Sequence, residues 1–533
     1  MFDRLLSIGV HGKIWTVVKD MYREVRSQVL INGVPTGTIL TDVGVRQGSV
    51  LSPLLFSIFI SGVIEEWRAR GLGVSVGDKK VAGLLFADDI VLVADRPSDM
   101  HAALAVMDEH ARRWRYRFNI GKCAVMAVGK GAPTEEKWEL QQQRVPESKS
   151  YKYLGAIMQS SRSWHLWNVA RKAKGKGCLP TMWWCGARQG ALSVRTGMKL
   201  LQTMVWPVLA YGGELARLSE NQQRQSEVVQ NAAARQILGV GRRTAADMLR
   251  GELGWITVEA RRTIARLAFF HRLQCMPLTR LAADVFASGM QHELASESSA
   301  VAAAGAVKHA GGFCHAIRAV LARLGLHHFF TRHTYVTARH WKHMVTQAVV
   351  AEQQRQWGER LSKRDDAEWY RGVKQQWGME RYLEIGGQSA QQSRGRRVRA
   401  QMRLGVAPLH ANINKTNPNE PPTCPHCHAS VEDETHAICV CSFHDVARRT
   451  LYAAVEQEWE RGERTGEQWW QRASASATGV WSGMGARQRA MWLLSFDGPR
   501  IVVAVHAFLA ALAAAKEKAG YGFAYAQRKA YQK

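Results

Sequence analysis

The chain has no uninterrupted apolar run of the ~18–20 residues that span a bilayer. Its longest candidate, Ile501 to Ala515, is shorter and is interrupted by His506. The opening Met1-Phe2-Asp3-Arg4 lacks the pattern of a secretory signal. Nine cysteines make an odd count, scattered except for the last four, which argues against a secreted disulfide framework and for a reducing compartment. No internal repeat stands out, and nothing resembles an endonuclease. Together these absences describe a soluble, intracellular chain that makes no membrane contact. Carboxylates are also in deficit: 45 Asp and Glu face 72 Lys and Arg, a net charge of +27 over 533 residues. Such an excess is a footprint for nucleic acid, with an anionic membrane surface as its rival.

Acidic residues are placed most informatively in Gly83-Leu84-Leu85-Phe86-Ala87-Asp88-Asp89-Ile90-Val91-Leu92. Two apolar β-type runs meet at a turn that carries adjacent carboxylates. Their repulsion favours a bound divalent cation, and two Mg²⁺ ions about 3.5–4 Å apart fit between such acids and a nucleoside triphosphate. The alternative is a turn that simply favours Asp. Upstream, Gly44-Val45-Arg46-Gln47-Gly48-Ser49-Val50-Leu51-Ser52-Pro53 forms a glycine-bracketed loop entering a helix. Ser52 is expected as N-cap with Pro53 in the first turn, followed by Leu54, Leu55, Ile58, Phe59, Val63 and Trp67 at helical spacing. Gly48 lets the backbone approach a ligand where Arg46 and Gln47 supply donors.

Residues 1 to about 130 alternate strand and helix signals. Strands are expected at Gln28–Asn32 and Thr38–Val43 around the turn 32–37, and Ser98 is expected to cap a helix with Met100, Ala103, Leu104, Met107, Ala111, Trp114 and Phe118 on one stripe. This is an α+β pattern, an antiparallel sheet with flanking helices. From about 160 to 290 the signals turn helical and basic. Arg171, Lys172, Lys174 and Lys176, then Arg242, Arg243, Arg261, Arg262, Arg266 and Arg272, suit a cationic face along a phosphate backbone, or plain solvation. Ala295 to Gly312 reads as a linker. Beyond it, Trp341, Trp357, Trp369 and Trp377 lie among basic residues ahead of the Arg-rich run 394–399, a composition that stacks on bases when exposed and fills a core when buried.

The clustered cysteines form Cys424-x2-Cys427-x8-His436-x4-Cys441. Three thiolates and one imidazole satisfy a closed tetrahedral Zn²⁺ site. Cys439, His426, His428 and His444 are alternates, and buried free thiols are the bland reading.

Arg-Gln-Gly-x-x-Leu-Ser-Pro-x-x-Phe at 46–56, Phe-Ala-Asp-Asp at 86–89, Asn119 to Met126 and Tyr151-Lys152-Tyr153-Leu154-Gly155 occur in an order and spacing that resembles the palm of a non-LTR retrotransposon (LINE-type) reverse transcriptase. The likeness continues through 190–195 and 250–255, so it covers at least residues 1–290. It implies a partial right-hand polymerase palm, a helical thumb and a helical C-terminal region with a small CCHC zinc knuckle that contacts nucleic acid. Asp88 and Asp89 correspond to Mg²⁺-binding carboxylates, Asp88 the more direct ligand. Lys122 matches a lysine near the triphosphate. Arg46, Gln47, Gly48, Phe86 and Ala87 would meet template and incoming nucleotide, and Tyr153, Leu154 and Gly155 the primer. The implied partners are an RNA template, a DNA primer or target and deoxynucleoside triphosphates, with residence in nucleus and cytoplasm.

One departure stands out. The family's first palm motif and its fingers should precede Leu5 to Val10, but the chain starts at Met1, and Asp3 reads as a surface or capping residue. The expectation is therefore a C-terminal part with an incomplete Mg²⁺ site and little activity of its own. The layout expected is 1–158 partial palm, 159–294 thumb, 295–312 linker, 313–400 basic helical connector, 401–450 zinc knuckle and 451–533 C-terminal helices. A non-catalytic nucleic-acid-binding remnant is the alternative, and a group II intron maturase a more distant one.

Overall fold

A computed structural model describes residues 1–41, 44–76, 79–129, 136–187, 193–300, 312–331, 336–385, 389–465 and 481–518. The expected features at Asp42–Val43 and Gly190–Leu192, and most of the expected linker, lie outside them. The chain divides into two compact units, Met1–Trp167 with Met276–Ala310, and Asn168–Cys275 with Gly311–Lys533. These group the segments differently from the expected layout. Part of the thumb-like stretch joins the first unit, and the helix Leu281–Ala300 runs into the expected linker.

The first unit mixes helices with six two-stranded antiparallel sheets. Among the described residues they do not merge into one larger sheet. The expected first hairpin is present but interrupted: Val25–Ser27 pairs with Ile39–Thr41, then Leu30–Ile31 with Val34–Pro35. Asn32 and Gly33 at φ 51° and 82° form the tight turn, shorter than expected because these two residues tolerate the left-handed region.

The core lies between the helices Ser52–Ala69 and Pro97–Trp114, where Val63, Trp67, Leu104, Val106 and Met107 are buried with Trp138, Leu140 and Val145. Trp67 donates its indole N–H to the Ala103 carbonyl at 3.3 Å. Neither expected serine cap forms. The helices begin at Ser52 and Pro97, with Leu51 and Arg96 at the cap positions. Proline sets φ for the first turn and has no N–H to cap, so the start falls at or beside it. Leu54 is exposed, while Ile60 is buried in the stripe.

The second unit is helical and has the larger core. A capping box between Ser219 and Gln222 starts Glu220–Leu238, and Gly239 at φ 67° ends it. The helices Ala390–Arg403 and Pro499–Lys518 pack very closely. A Cβ on Gly395 would lie 1.9 Å from the His506 carbonyl oxygen, so only glycine fits. Pro499–Lys518 is the described helix long and apolar enough to cross a membrane by length and composition, which corrects the expectation that no run is long enough. Its Val502, Val505, Leu509, Leu512 and Lys516 are instead buried in the core.

Burial corrects part of the reading of the basic helices, in which Lys174, Lys176, Arg242, Arg243 and Arg272 stay exposed. Arg262 is fully buried and donates to the Leu209 carbonyl and Ser226 Oγ at 3.0 and 3.1 Å. Arg266 donates to the Ala216 carbonyl at 2.8 Å, Arg261 lies 3.2 Å over the Trp206 ring, and Arg171 is buried beside Tyr211. In the Arg-rich run, Arg399 donates to the Leu494 carbonyl at 2.9 Å and to that of Phe496. Arg403, further along, bonds Glu252 at 2.6 Å. Glu252 also accepts from Tyr382 at 2.7 Å and Tyr370 at 3.2 Å. Burial opposes the charge of Arg403, but Glu252 and Glu380 outweigh it and hold its pKa above the ordinary value. Arg399 lacks so close a carboxylate, and burial lowers its pKa to about 10. Trp341 and Trp357 are buried, and Trp369 and Trp377 pack on the core. These side chains hold the fold together.

Candidate active site and metal centre

Gly83–Phe86 and Asp89–Leu92 pair antiparallel with Phe86 opposite Asp89, so Ala87 and Asp88 form a two-residue turn. Ala87 takes φ 53°, a region disfavoured for a residue with a Cβ. The hairpin is seated by Gly83, where a Cβ would lie 2.7 Å from both the Trp67 ring and the Val91 carbonyl oxygen. The absence of a side chain there lets the strand lie directly on the helix that follows the Gln-Gly loop. Asp88, Asp89 and Phe86 are all exposed. Among the described residues no third carboxylate, histidine or cysteine joins the two aspartates in a ligand group.

A second hairpin, Ser150–Tyr153 with Ala156–Gln159, turns through Leu154 and Gly155 at φ 46° and 76°. Both central residues are left-handed, the geometry that matches strand twist in a two-residue hairpin. Burial raises the pKa of Tyr153, and the charge of Asp89 adds to it; for Tyr151 burial acts first, then Cys123, then Asp89. The two hairpin tips therefore share an electrostatic neighbourhood. The Tyr151 hydroxyl also donates to the Lys122 carbonyl oxygen, which ties the Ile120–Lys122 turn to the same corner. The Lys122 side chain is exposed. Residues Cys123 to Met126 form no regular strand; Val125 makes a single bridge to Glu147.

The loop before the first long helix is held from inside. Ser52 Oγ donates to the Arg46 carbonyl at 2.5 Å and shares a 3.3 Å hydrogen bond with Tyr22 Oη. Ser52 thus anchors the loop in place of capping the helix. Gly48 sits at φ 83° with nothing within 4 Å of where a Cβ would be, and Arg46 and Gln47 are exposed. The backbone there is open to a ligand.

The cysteine cluster has the expected ligand set. Cys424, Cys427, His436 and Cys441 bring their ligand atoms within 4.8 Å of one another. The Cys424–Cys441 sulfurs are 3.8 Å apart, and Cys427 Sγ lies 3.3 Å from His436 Nε2. Ligands about 2.0–2.3 Å from a tetrahedral Zn²⁺ are separated by roughly these distances. His436 Nδ1 is occupied by Ser430 Oγ at 2.8 Å, leaving Nε2 for a metal, and burial lowers the pKa of the ring so that it is neutral. Without a metal, burial raises the Cys424 thiol and pushes that of Cys441 up to about 12. Backbone N–H groups oppose this, from Cys427 and His426 toward Cys424 and from Phe443 toward Cys441, while the Ala429 N–H lowers Cys427. This set of three sulfurs and one imidazole nitrogen is compatible with a zinc ion.

None of the four alternates joins the ligand group, and His428 is exposed. Cys439 packs against the large core, His426 stacks on Phe443 with ring centroids 4.4 Å apart, and His444 is buried. Four supporting residues escaped the sequence reading. Asp433 accepts the His436 N–H at 2.7 Å, and buried Glu432 joins His410 Nδ1 at 2.8 Å and Lys516 Nζ at 2.6 Å. An Asp three residues before His436 is a legible capping signal; Lys516 is 84 positions from Glu432 and carries none.

Residues 2–158 match the reverse transcriptase (RNA-dependent DNA polymerase) family. The chain is 25% identical over 224 residues to the RNA-directed DNA polymerase from mobile element jockey of Drosophila funebris, covering 39% of this chain and 24% of that protein. It is 31% identical over 121 residues to the retrovirus-related Pol polyprotein from type-1 retrotransposable element R2 of Popillia japonica, covering 22% and 19%. A probable RNA-directed DNA polymerase from transposon X-element of Drosophila melanogaster is 23% identical over 255 residues, covering 45% and 27%. The chain thus spans about a quarter or less of the length of these relatives.

Proposed function

We propose that the N-terminal segment of this chain, which matches the reverse transcriptase family over residues 2–158 and is similar to non-LTR retrotransposon polymerases, carries out RNA-directed DNA synthesis with Asp88 and Asp89 as metal-binding carboxylates. The observation that carries this reading is an adjacent carboxylate pair on the tip of a helix-seated hairpin, inside the matched segment and beside the Tyr151–Gly155 hairpin. Two exposed carboxylates suit Mg²⁺, which takes few protein ligands and keeps sites for water and phosphate. Bound there, Mg²⁺ would favour the 3′-hydroxylate and stabilise charge on the transferring phosphoryl group.

The chain's own residues do the rest. The hairpin fixes both carboxylates on a short rigid turn. Gly48 and the Arg46 and Gln47 side chains receive template and incoming nucleotide, and Phe86 and Ala87 flank them. Lys122 offers a cation to the departing pyrophosphate. The Tyr153-Leu154-Gly155 turn steadies the primer end. In the second unit one structural Zn²⁺ on Cys424, Cys427, His436 and Cys441 holds a nucleic-acid-binding module.

With only two carboxylates converging among the described residues, extension of a DNA primer on an RNA template by residues 1–533 is expected to be weak. Fusion to the preceding polymerase segment of a related element should raise it by orders of magnitude. A folded fusion that binds template and primer yet extends nothing would overturn the reading.

A further inference from the structure

From 298 to 351 the sequence has no Asp or Glu, but six Lys or Arg and seven of the chain's 19 His. The described part of this stretch includes the helices Phe313–Arg323 and Ala338–Ser362 with the short turn His327–Phe329 between them. Whereas Arg262, Arg266, Arg396, Arg399 and Arg403 of the helices Val258–Gln274 and Ala390–Arg403 are buried, Arg323, Arg339 and Lys342 of this stretch are exposed. Trp341 is the anchor: it is buried, donates to the Leu267 carbonyl at 2.8 Å, and stacks on His271 with centroids 5.5 Å apart. Arg339, His340, Lys342 and His343 surround it in sequence and are exposed. The Phe329 ring meets Trp341 edge-on at 5.2 Å, which brings the exposed His327 and His328 to the same end of the helix. None of these six side chains has a carboxylate partner among the described residues. Nor is any large apolar side chain of the described part of 312–343 exposed.

We propose that this face, His327, His328, Arg339, His340, Lys342 and His343, is a docking surface for the phosphate backbone of single-stranded nucleic acid, outside the polymerase site and the zinc module. Arg339 and Lys342 carry positive charge with no carboxylate partner among the described residues, which attracts an anionic partner. The lack of exposed apolar side chains disfavours a bilayer, since interfacial membrane binding needs an apolar face to insert. Arginine, lysine and imidazole N–H groups donate to phosphate oxygens in the manner of backbone-positioning contacts, which carry no base preference. The proposal rests on the reading that the chain handles nucleic acid, and it assigns part of that binding to a place.

The test is RNA affinity against salt for the full chain, using an unstructured single-stranded oligonucleotide. Arg339→Ala/Lys342→Ala is compared with Arg224→Ala/Arg487→Ala, an equal loss of charge at exposed arginines that already have carboxylate partners. Removing two phosphate contacts should lower the log–log salt slope by about 1.4 and weaken binding roughly tenfold at moderate salt. The control pair should change neither by a comparable amount. His340→Gln/His343→Gln should weaken binding in the same direction. Unchanged zinc content and melting temperature would show that the variants fold. Equal slopes for the two arginine variants, with wild-type RNA binding intact, would overturn this proposal and leave the polymerase reading standing. Absence of RNA binding by the wild type would overturn both, and capture of the face by phosphatidylserine vesicles in place of RNA would assign it to membranes.

Discussion

Cys424, Cys427, His436 and Cys441 bring four ligand atoms within 4.8 Å of one another in a largely buried setting, whereas Asp88 and Asp89 stand at an exposed hairpin tip without a third described ligand. The first arrangement has its sulfurs already surrounded by backbone N–H groups and its histidine oriented by Ser430. A Zn²⁺ bound there would have all four positions filled by protein. The second offers two charges on a rigid turn and leaves most coordination positions to water and phosphate, as a site must if the metal is to take part in a reaction. On the proposed reading, the first site would use a cation to fold a domain and the second to handle a substrate, which makes the two separable by mutation.

The largest expected effect comes from the closed site. Replacing Cys441 with Ser should abolish zinc retention, measured by elemental analysis. It should also melt the second unit well before the first, because Ala437 and Ile438 belong to the main core and Glu432 ties the module to Lys516. Structural zinc contributes on the order of 10 kcal/mol in isolated modules at neutral pH. A zinc-free variant with an unshifted melting transition would show that the four residues are ordinary buried side chains.

Next in size is Glu252→Gln. It leaves the fully buried Arg403 guanidinium with Glu380 alone and should cost about 3–5 kcal/mol in urea unfolding. Gly395→Ala should cost about 1–3 kcal/mol, since the helices Ala390–Arg403 and Pro499–Lys518 must separate to admit a methyl group. A loss below about 0.5 kcal/mol for either would mean that the contact is looser than described. At the other extreme, Asp88→Asn at an exposed turn should change stability by no more than about 0.5 kcal/mol.

What was legible in the sequence follows the range of the interactions. The zinc ligands lie within 18 residues and their spacing encodes the site. The aspartate hairpin is a strand-turn-strand whose pairing is local, and so is the Tyr151–Gly155 turn. Which of its two readings the Arg-rich run would take was not legible because its partners are remote: Arg399 meets the Leu494 carbonyl across 95 positions, and Arg403 just beyond the run meets Glu252 across 151. Composition alone does not distinguish a guanidinium that faces solvent from one that caps buried carbonyls. The serine caps failed for a different reason, since an adjacent proline competes for the same helix start. Alternating apolar residues announced hairpins but carried no information on whether those hairpins join edge to edge.

The central claim is that the exposed aspartate pair does chemistry and is not needed for folding. The measurement that tests it most directly is primer extension by the fusion to a related element's polymerase segment and by its Asp88→Asn variant, with zinc content, melting temperature and template binding taken on the same samples. The account predicts that the variant loses templated synthesis while the other three readings stay unchanged. Extension at the level of the unsubstituted fusion, or a loss that tracks a collapse in melting temperature, would contradict it.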